Sequence, residues 1–271
     1  MILIMEKKII LDIGHGGTDT GASGNGVIEK NLNLSQGLKL KKRLEEHKLK
    51  VVCTRTNDKT LSLTERCNIA NSSTNDNNTM FLSFHHNSYT EDSAGSETFR
   101  SIHNNKDSRI SKFCDSLLYD MSKLGFKNRG NKTRESTKYP NQDYYTIINK
   151  SNMKAVIFEP YFLSNKKDVE LGKKHADNII EVIVQNICWY YSIPYTPIKK
   201  VEEKVVEKHW AEDSYVKLKQ SGVHISDKLY DTPLLRGSAF SMMHDIMNIF
   251  NSEIKKLNDE IIKLQKEIKK E

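Results

Sequence analysis

The stretch Lys8–Ile13, KIILDI, followed at once by Gly14-His15-Gly16-Gly17, decides the fold class. An unbroken apolar run of this length reads as a strand buried on both faces, and the glycines that end it read as a tight loop. The pattern recurs downstream: Leu49–Thr54 (LKVVCT), Met80–Phe84, Glu97–Ser101 (ETFRS), Tyr144–Ile148 and Ala155–Phe158 are strand-like. Between them, Leu32, Leu34, Leu38 and Leu44 lie among polar residues as on an amphipathic helix. Leu61–Ala70 has helical spacing, and helices are expected at Arg109–Leu124 and Asp168–Tyr190. Strands alternating with helices predict an α/β domain over residues 1–195, with a mixed, mostly parallel sheet flanked by helices. The polar run Asn128–Asp143 is expected to be a long loop, of a length more often functional than connective.

Residues 196–208, with Pro197 and the charged run IKKVEEKVVEK, have the composition of a linker. Residues 209–271 are expected to form a small all-helical domain. Within it, Met247, Phe250, Ile254, Leu257, Ile261, Leu264 and Ile268 recur at alternating spacings of three and four, an a/d seam that predicts self-association.

Of 271 residues, 37% are hydrophobic and 28% charged, which suits a globular domain diluted by a polar linker and an exposed helix. The formal charge of +7 lies upstream, because residues 209–271 carry ten basic and ten acidic side chains. A basic upstream domain favours a polyanionic neighbourhood, which could be nucleic acid, anionic lipid or an anionic cell-wall polymer. No Lys/Arg cluster with interleaved aromatics supports nucleic-acid binding. Cys53, Cys67, Cys114 and Cys188 form no CxxC pair and read as free thiols, mostly buried, compatible with a reducing cytoplasm. No apolar run is long enough to span a membrane. The opening MILIM meets Glu6, Lys7 and Lys8 too soon for a signal peptide, so synthesis in the cytoplasm is expected.

Zinc hydrolysis needs three protein ligands, a position for water and a nearby base. His15 sits in the glycine loop after a strand, Glu29 opens a predicted helix beside Asn31 and Asn33, and His85 and His86 directly follow the strand Met80–Phe84. Neighbouring strand residues point to opposite faces, so one of the two histidines is expected to reach a metal, and the pattern allows either. Glu159 ends the strand Ala155–Phe158, where a carboxylate is expected to need a positive partner. The carboxyl ends of α/β strands are where such folds place active sites.

In order, LDIGHGGTDTGASGNGVIEKNLNL, VVCTRTNDKTLSLTERCNIAN, MFLSFHHNS, GSETF, NRGNK and AVIFEPYFLSN resemble the zinc-dependent N-acetylmuramoyl-L-alanine amidases of the type 3 family, from Lys8 to about Ile187. The resemblance implies one Zn2+ held by His15, Glu29 and His85, with Glu159 as the catalytic proton carrier. It also gives Arg55, Asp58 and Arg66 a structural salt-bridge role. Two departures stand beside the expected metal site: His86 replaces a small residue, and Tyr161, after Pro160, replaces a glycine. The implied reaction is cleavage of the amide between N-acetylmuramic acid and L-alanine in peptidoglycan. The implied setting is a phage endolysin that reaches a Gram-positive wall through a holin-type pore. A non-catalytic wall-binding or assembly protein on the same scaffold is the alternative, and metal content separates the two. Downstream, HWAEDSYVKLKQSGVHISDKLYDTPLLRGSAFSMM resembles, more loosely, S-layer-homology-type modules, which implies a secondary wall polymer as a further partner.

Overall fold

The computed structural model describes residues 7–73, 78–198 and 233–268. The chain divides into two units, Met1–Ile198 and Lys199–Glu271. In the first, six strands form one sheet: β1 (Lys8–Ile13), β4 (Lys50–Cys53), β5 (Thr79–Phe84), β6 (Ser96–Arg100), β7 (Asn128–Thr133) and β8 (Lys154–Glu159), while β2 (Ser23–Gly24) and β3 (Val27–Ile28) make a small ribbon. The sheet order is β4-β1-β5-β8-β6-β7. The first four strands of that order run parallel; β6 is antiparallel to β8, and β7 is parallel to β6. The mixed, mostly parallel sheet is therefore as expected.

Helices α1 (Glu29–Glu46), α3 (Arg109–Lys123), α5 (Lys166–Lys174) and α6 (Ala176–Tyr191) cover one face, and α2 (Leu63–Ser72) and α4 (Thr146–Asn149) the other. The unbroken apolar run of β1 follows from this double cover. Ile9, Leu11 and Ile13 enter the larger core with Leu82, Phe84 and Phe158, and Ile10 enters the smaller one with Phe81 and Ile157. Each such fully buried aliphatic or aromatic side chain is worth roughly 1.5–3 kcal/mol of transfer free energy. All four cysteines are free, and all but Cys53 are buried.

Three sequence expectations change. Asn128–Thr133 is not loop but edge strand β7, paired on one side only, so its half-exposed NRGNKT carries no apolar alternation. Thr146–Asn149 is a helical turn rather than a strand, and it buries the successive Ile147 and Ile148 against Cys67 and Ala70. The expected helix Asp168–Tyr190 is two helices, because His175 closes α5 and opens α6 with a non-helical backbone.

The second unit, within its described residues, is the helix α7 (Pro233–Ile268). Phe250, Ile254, Leu257 and Ile261 of the a/d seam are each at least half exposed. The expected linker past Ile198 and the S-layer-like segment up to Thr232 lie outside the described residues, as do the side chains of Leu264 and Ile268. Among the described residues, no helix is long and apolar enough to cross a membrane.

Candidate metal centre

Strands β1, β5 and β8 are adjacent and parallel, with Ile13 opposite Phe84 and Phe84 opposite Phe158. His15, His85 and Glu159 therefore leave the sheet at one level, at its carboxyl edge. Glu29, the first residue of α1, reaches them from the side. His15 Nε2 lies 3.1 Å from Glu29 Oε2, and His85 Nδ1 lies 3.1 Å from Glu29 Oε1. The two imidazole rings stand edge to face, 4.8 Å apart. One donor atom from each of the three residues fits within a 4.8 Å span.

The support of this cluster is built by the glycine loop. Buried Asp12 accepts hydrogen bonds from Thr54 Oγ1 (2.8 Å), Ser83 Oγ (2.7 Å) and Arg66 Nη1 (2.7 Å). Arg66 also donates to the carbonyls of Ile13 and His15, at 2.8 and 2.9 Å. Arg55 donates to the carbonyls of Ile13, Gly14, Lys30 and Asn57. Its role is thus to clamp backbone, not to form the expected salt bridge, whereas Arg66 pairs with Asp12 and Asp58 with Lys30. Held this way, His15 takes a left-handed φ of 59°, a conformation histidine tolerates better than most residues. Gly14 is needed for proximity: a Cβ there would lie 2.3 Å from the His85 ring.

Glu29 is buried, and its oxygens also accept from Ala22 N (2.9 Å), His86 N (3.0 Å) and Asn33 Nδ2 (3.2 Å). Burial opposes its charge, but hydrogen bonds and proximity to His15 and His85 outweigh burial and hold the carboxyl well below its usual range. For His15, burial likewise opposes charge, and the hydrogen bonds to Glu29 and Asp19 overcome it, raising the imidazole above its ordinary value. Asp19 Oδ2 sits 2.9 Å from His15 Nδ1. A carboxylate only accepts, so a proton on Nδ1 serves Asp19. Nε2 faces a Glu29 oxygen at 3.1 Å, so it carries either a second proton donated to Glu29 or, in the neutral ring, a lone pair for a metal. A tetrahedral zinc site with bonds of about 2.0–2.1 Å has donor–donor edges of roughly 3.3 Å, close to the two contacts here. The residues fit zinc. Asp19, which sequence reading missed, stands behind His15 as carboxylates commonly stand behind metal-binding histidines. The only sequence signal for it was its position four residues past His15.

His85 and His86 do diverge as strand alternation requires. His86 is buried beneath the cluster, its Nδ1 donating to Asn33 Oδ1 at 2.7 Å, and burial pushes its pKa down to about 3. Tyr161, 2% exposed, meets the His86 ring edge-on at 4.6 Å and stacks on Phe126 at 5.5 Å. The two bulky departures therefore pack against each other in the core rather than narrowing the site. Asn31, expected beside Glu29, is exposed.

Among the described residues, no positive partner stands out for Glu159, contrary to expectation. Its Oε2 is sealed from solvent without a hydrogen bond. Burial, with the nearby charges of Glu29 and Glu97, raises its carboxyl well above the usual range. A carboxyl so placed keeps its proton more readily than an exposed one does. On the other flank of the cluster a cavity of about 420 Å³ is lined by His15, His85, Leu61, Leu63 and Arg66.

Comparison with known proteins places residues 9–188 in the family model described as N-acetylmuramoyl-L-alanine amidase. The chain is 35% identical over 172 residues to the N-acetylmuramoyl-L-alanine amidase CwlM of Bacillus licheniformis, covering 62% of each. It is 30% identical over 194 residues to the endolysin of Bacillus phage SPP1, covering 66% of this chain and 67% of that protein. Among solved structures, the catalytic domain of the amidase CwlV from Bacillus (Paenibacillus) polymyxa var. colistinus matches with a TM-score of 0.57 and 29% identity, covering 69% of this chain and 99% of that domain.

Proposed function

This chain belongs to the N-acetylmuramoyl-L-alanine amidase family, and from that we propose that it cleaves the bond between the lactyl carbonyl of N-acetylmuramic acid and L-alanine, with one zinc ion held by His15, Glu29 and His85. The observation that carries the metal is the convergence of one donor atom each from His15, Glu29 and His85 within 4.8 Å, with Asp19 holding the other nitrogen of His15. Bound there, zinc would supply Lewis-acid polarisation and acidify water. Glu159 takes the proton released by the attacking water and passes it to the departing amine. Among the described residues no cation holds Glu159 in its charged form, which suits it to carrying a proton. Arg55 and Arg66 keep the His15 loop from relaxing during turnover, and Gly14 keeps space for the His85 ring.

Digestion of purified peptidoglycan, read by mass spectrometry, tests the reaction. New L-alanine amino termini without new reducing sugars are expected, and new reducing ends alone would contradict it.

The likeness to a phage endolysin supports a role in lysing a Gram-positive host. The protein would be made in the cytoplasm and would reach the wall through a holin-type pore. Residues 1–195 are the proposed catalytic domain, and the part of the chain that carries α7 is the proposed site of wall-polymer binding, self-association, or both. The exposed Phe250, Ile254, Leu257 and Ile261 on α7 support self-association. Light scattering is expected to show an oligomer for the full chain and a monomer for a truncation at Asn251; monomers for both would remove the idea.

A further inference from the structure

The side of Glu159 away from the metal cluster carries an ion triad that the reaction as described does not use. Glu97 of β6 is the direct ladder partner of Glu159. Directly opposed residues bring their Cβ atoms to about 5 Å on one face. Glu97 is buried, and its Oε2 accepts from both Arg129 Nε (2.7 Å) and Lys132 Nζ (2.6 Å), while its Oε1 accepts from Asn87 Nδ2 (2.5 Å).

One carboxylate with two cations leaves one positive charge uncompensated. The exposures are unequal in a telling way: the Glu97 side chain is 6% exposed, that of Arg129 29% and that of Lys132 36%. The anion sits at the bottom and the cations open outward. Arg129 lies over the Phe162 ring at 4.6 Å, which fixes its guanidinium plane. Lys132 lies over Phe99 at 5.7 Å, and Phe99 in turn packs on Tyr145 at 4.8 Å. A buried carboxylate needs one guanidinium to be satisfied; the second cation on an open edge strand is surplus to stability, and it is linked to Glu159 only through Glu97.

Resting on the amidase reading, we propose that Arg129 and Lys132 bind a carboxylate of the stem peptide, that of the acidic residue following L-alanine. The side of the scissile bond follows from the chemistry. Glu159 delivers its proton to the leaving amine, so the groups flanking it lie on the leaving-group side. The sugar side offers no competing anion, because the lactyl carboxyl of N-acetylmuramic acid is consumed in the scissile amide itself. An extended peptide advances about 3.5 Å per residue. Arg129 and Lys132 rise from β7, two strands from β8, but their charged ends meet Glu97, the residue directly opposite Glu159, which puts them within reach of the second residue of the stem. Glu97 then acts as the counter-ion that positions both cations before substrate arrives.

The test compares two muramoyl peptides of equal length, one with D-isoglutamate and one with neutral D-isoglutamine after L-alanine. For the unaltered protein kcat/KM is expected to favour the carboxylate form by about tenfold, the scale of one charge-assisted hydrogen bond. In Lys132→Met that ratio is expected to fall towards one, and in Lys132→Arg to be retained, with thermal melts checking that each variant folds. No preference in the unaltered protein, or the same preference in Lys132→Met, would overturn the proposal. Failure of the unaltered protein to cut either peptide or intact peptidoglycan would instead overturn the amidase reading.

Discussion

Glu159→Gln is expected to bind zinc normally and to lose wall cleavage by about 10²- to 10⁴-fold, the range that a positioned acid–base group contributes. The substitution changes charge and proton affinity but hardly changes shape. It should not harm the fold, because the native carboxyl is not paired. Its Oε2 is sealed without a hydrogen bond, and its charged neighbours, Glu29 and Glu97, are both negative. The raised pKa already favours a neutral group at this position, so a neutral amide of the same shape should leave the melting temperature nearly unchanged. A protein that melts no lower, carries its metal and does not cut the wall isolates proton transfer as the lost step. Metal analysis, thermal melts and turbidity loss of purified walls give the three readouts. Near-normal lysis would remove Glu159 from the mechanism.

His15→Ala is expected to lose both metal and cleavage. His15 supplies one of three donors, and its Nδ1 bond to Asp19 fixes which nitrogen faces Glu29. Without it, Glu29 and His85 remain as a two-donor site, too few for a closed tetrahedral centre. The variant should still fold, since His15 is in a loop whose carbonyls are held by Arg55 and Arg66 rather than by its own ring. Zinc bound after gel filtration is expected to fall from one per chain to a small fraction. Retained zinc in this variant would show that the ligand set has been misassigned.

Much of this centre was legible in the sequence because three buried strands announce themselves as apolar runs and their ends locate the site. KIILDI, the strand before His85 and the strand before Glu159 are dense because helices cover both faces of the sheet. The weaker-patterned parts were not legible. β7 has no apolar residue because an edge strand here needs none, and it hid the cations that flank Glu97. Asp19 escaped notice because an exposed aspartate in a glycine loop has no signature until the histidine ring is seen against it. The choice between His85 and His86 followed from the family resemblance alone, as alternation permits either. In the fold, His85 faces Glu29 while His86 turns down onto Asn33 and Tyr161. Among the described residues no cation faces Glu159, and burial instead raises its carboxyl above the usual range, an option that one-dimensional reasoning about buried charge overlooks.

The central claim is a zinc-dependent amide hydrolysis, and one titration tests it most directly. The purified chain is stripped with a chelator and titrated with zinc while newly formed L-alanine amino termini in peptidoglycan are counted. Cleavage should be absent without metal and should rise to a plateau at one zinc per chain. Undiminished release of alanine termini from metal-free protein, or no release at any zinc content, would contradict it.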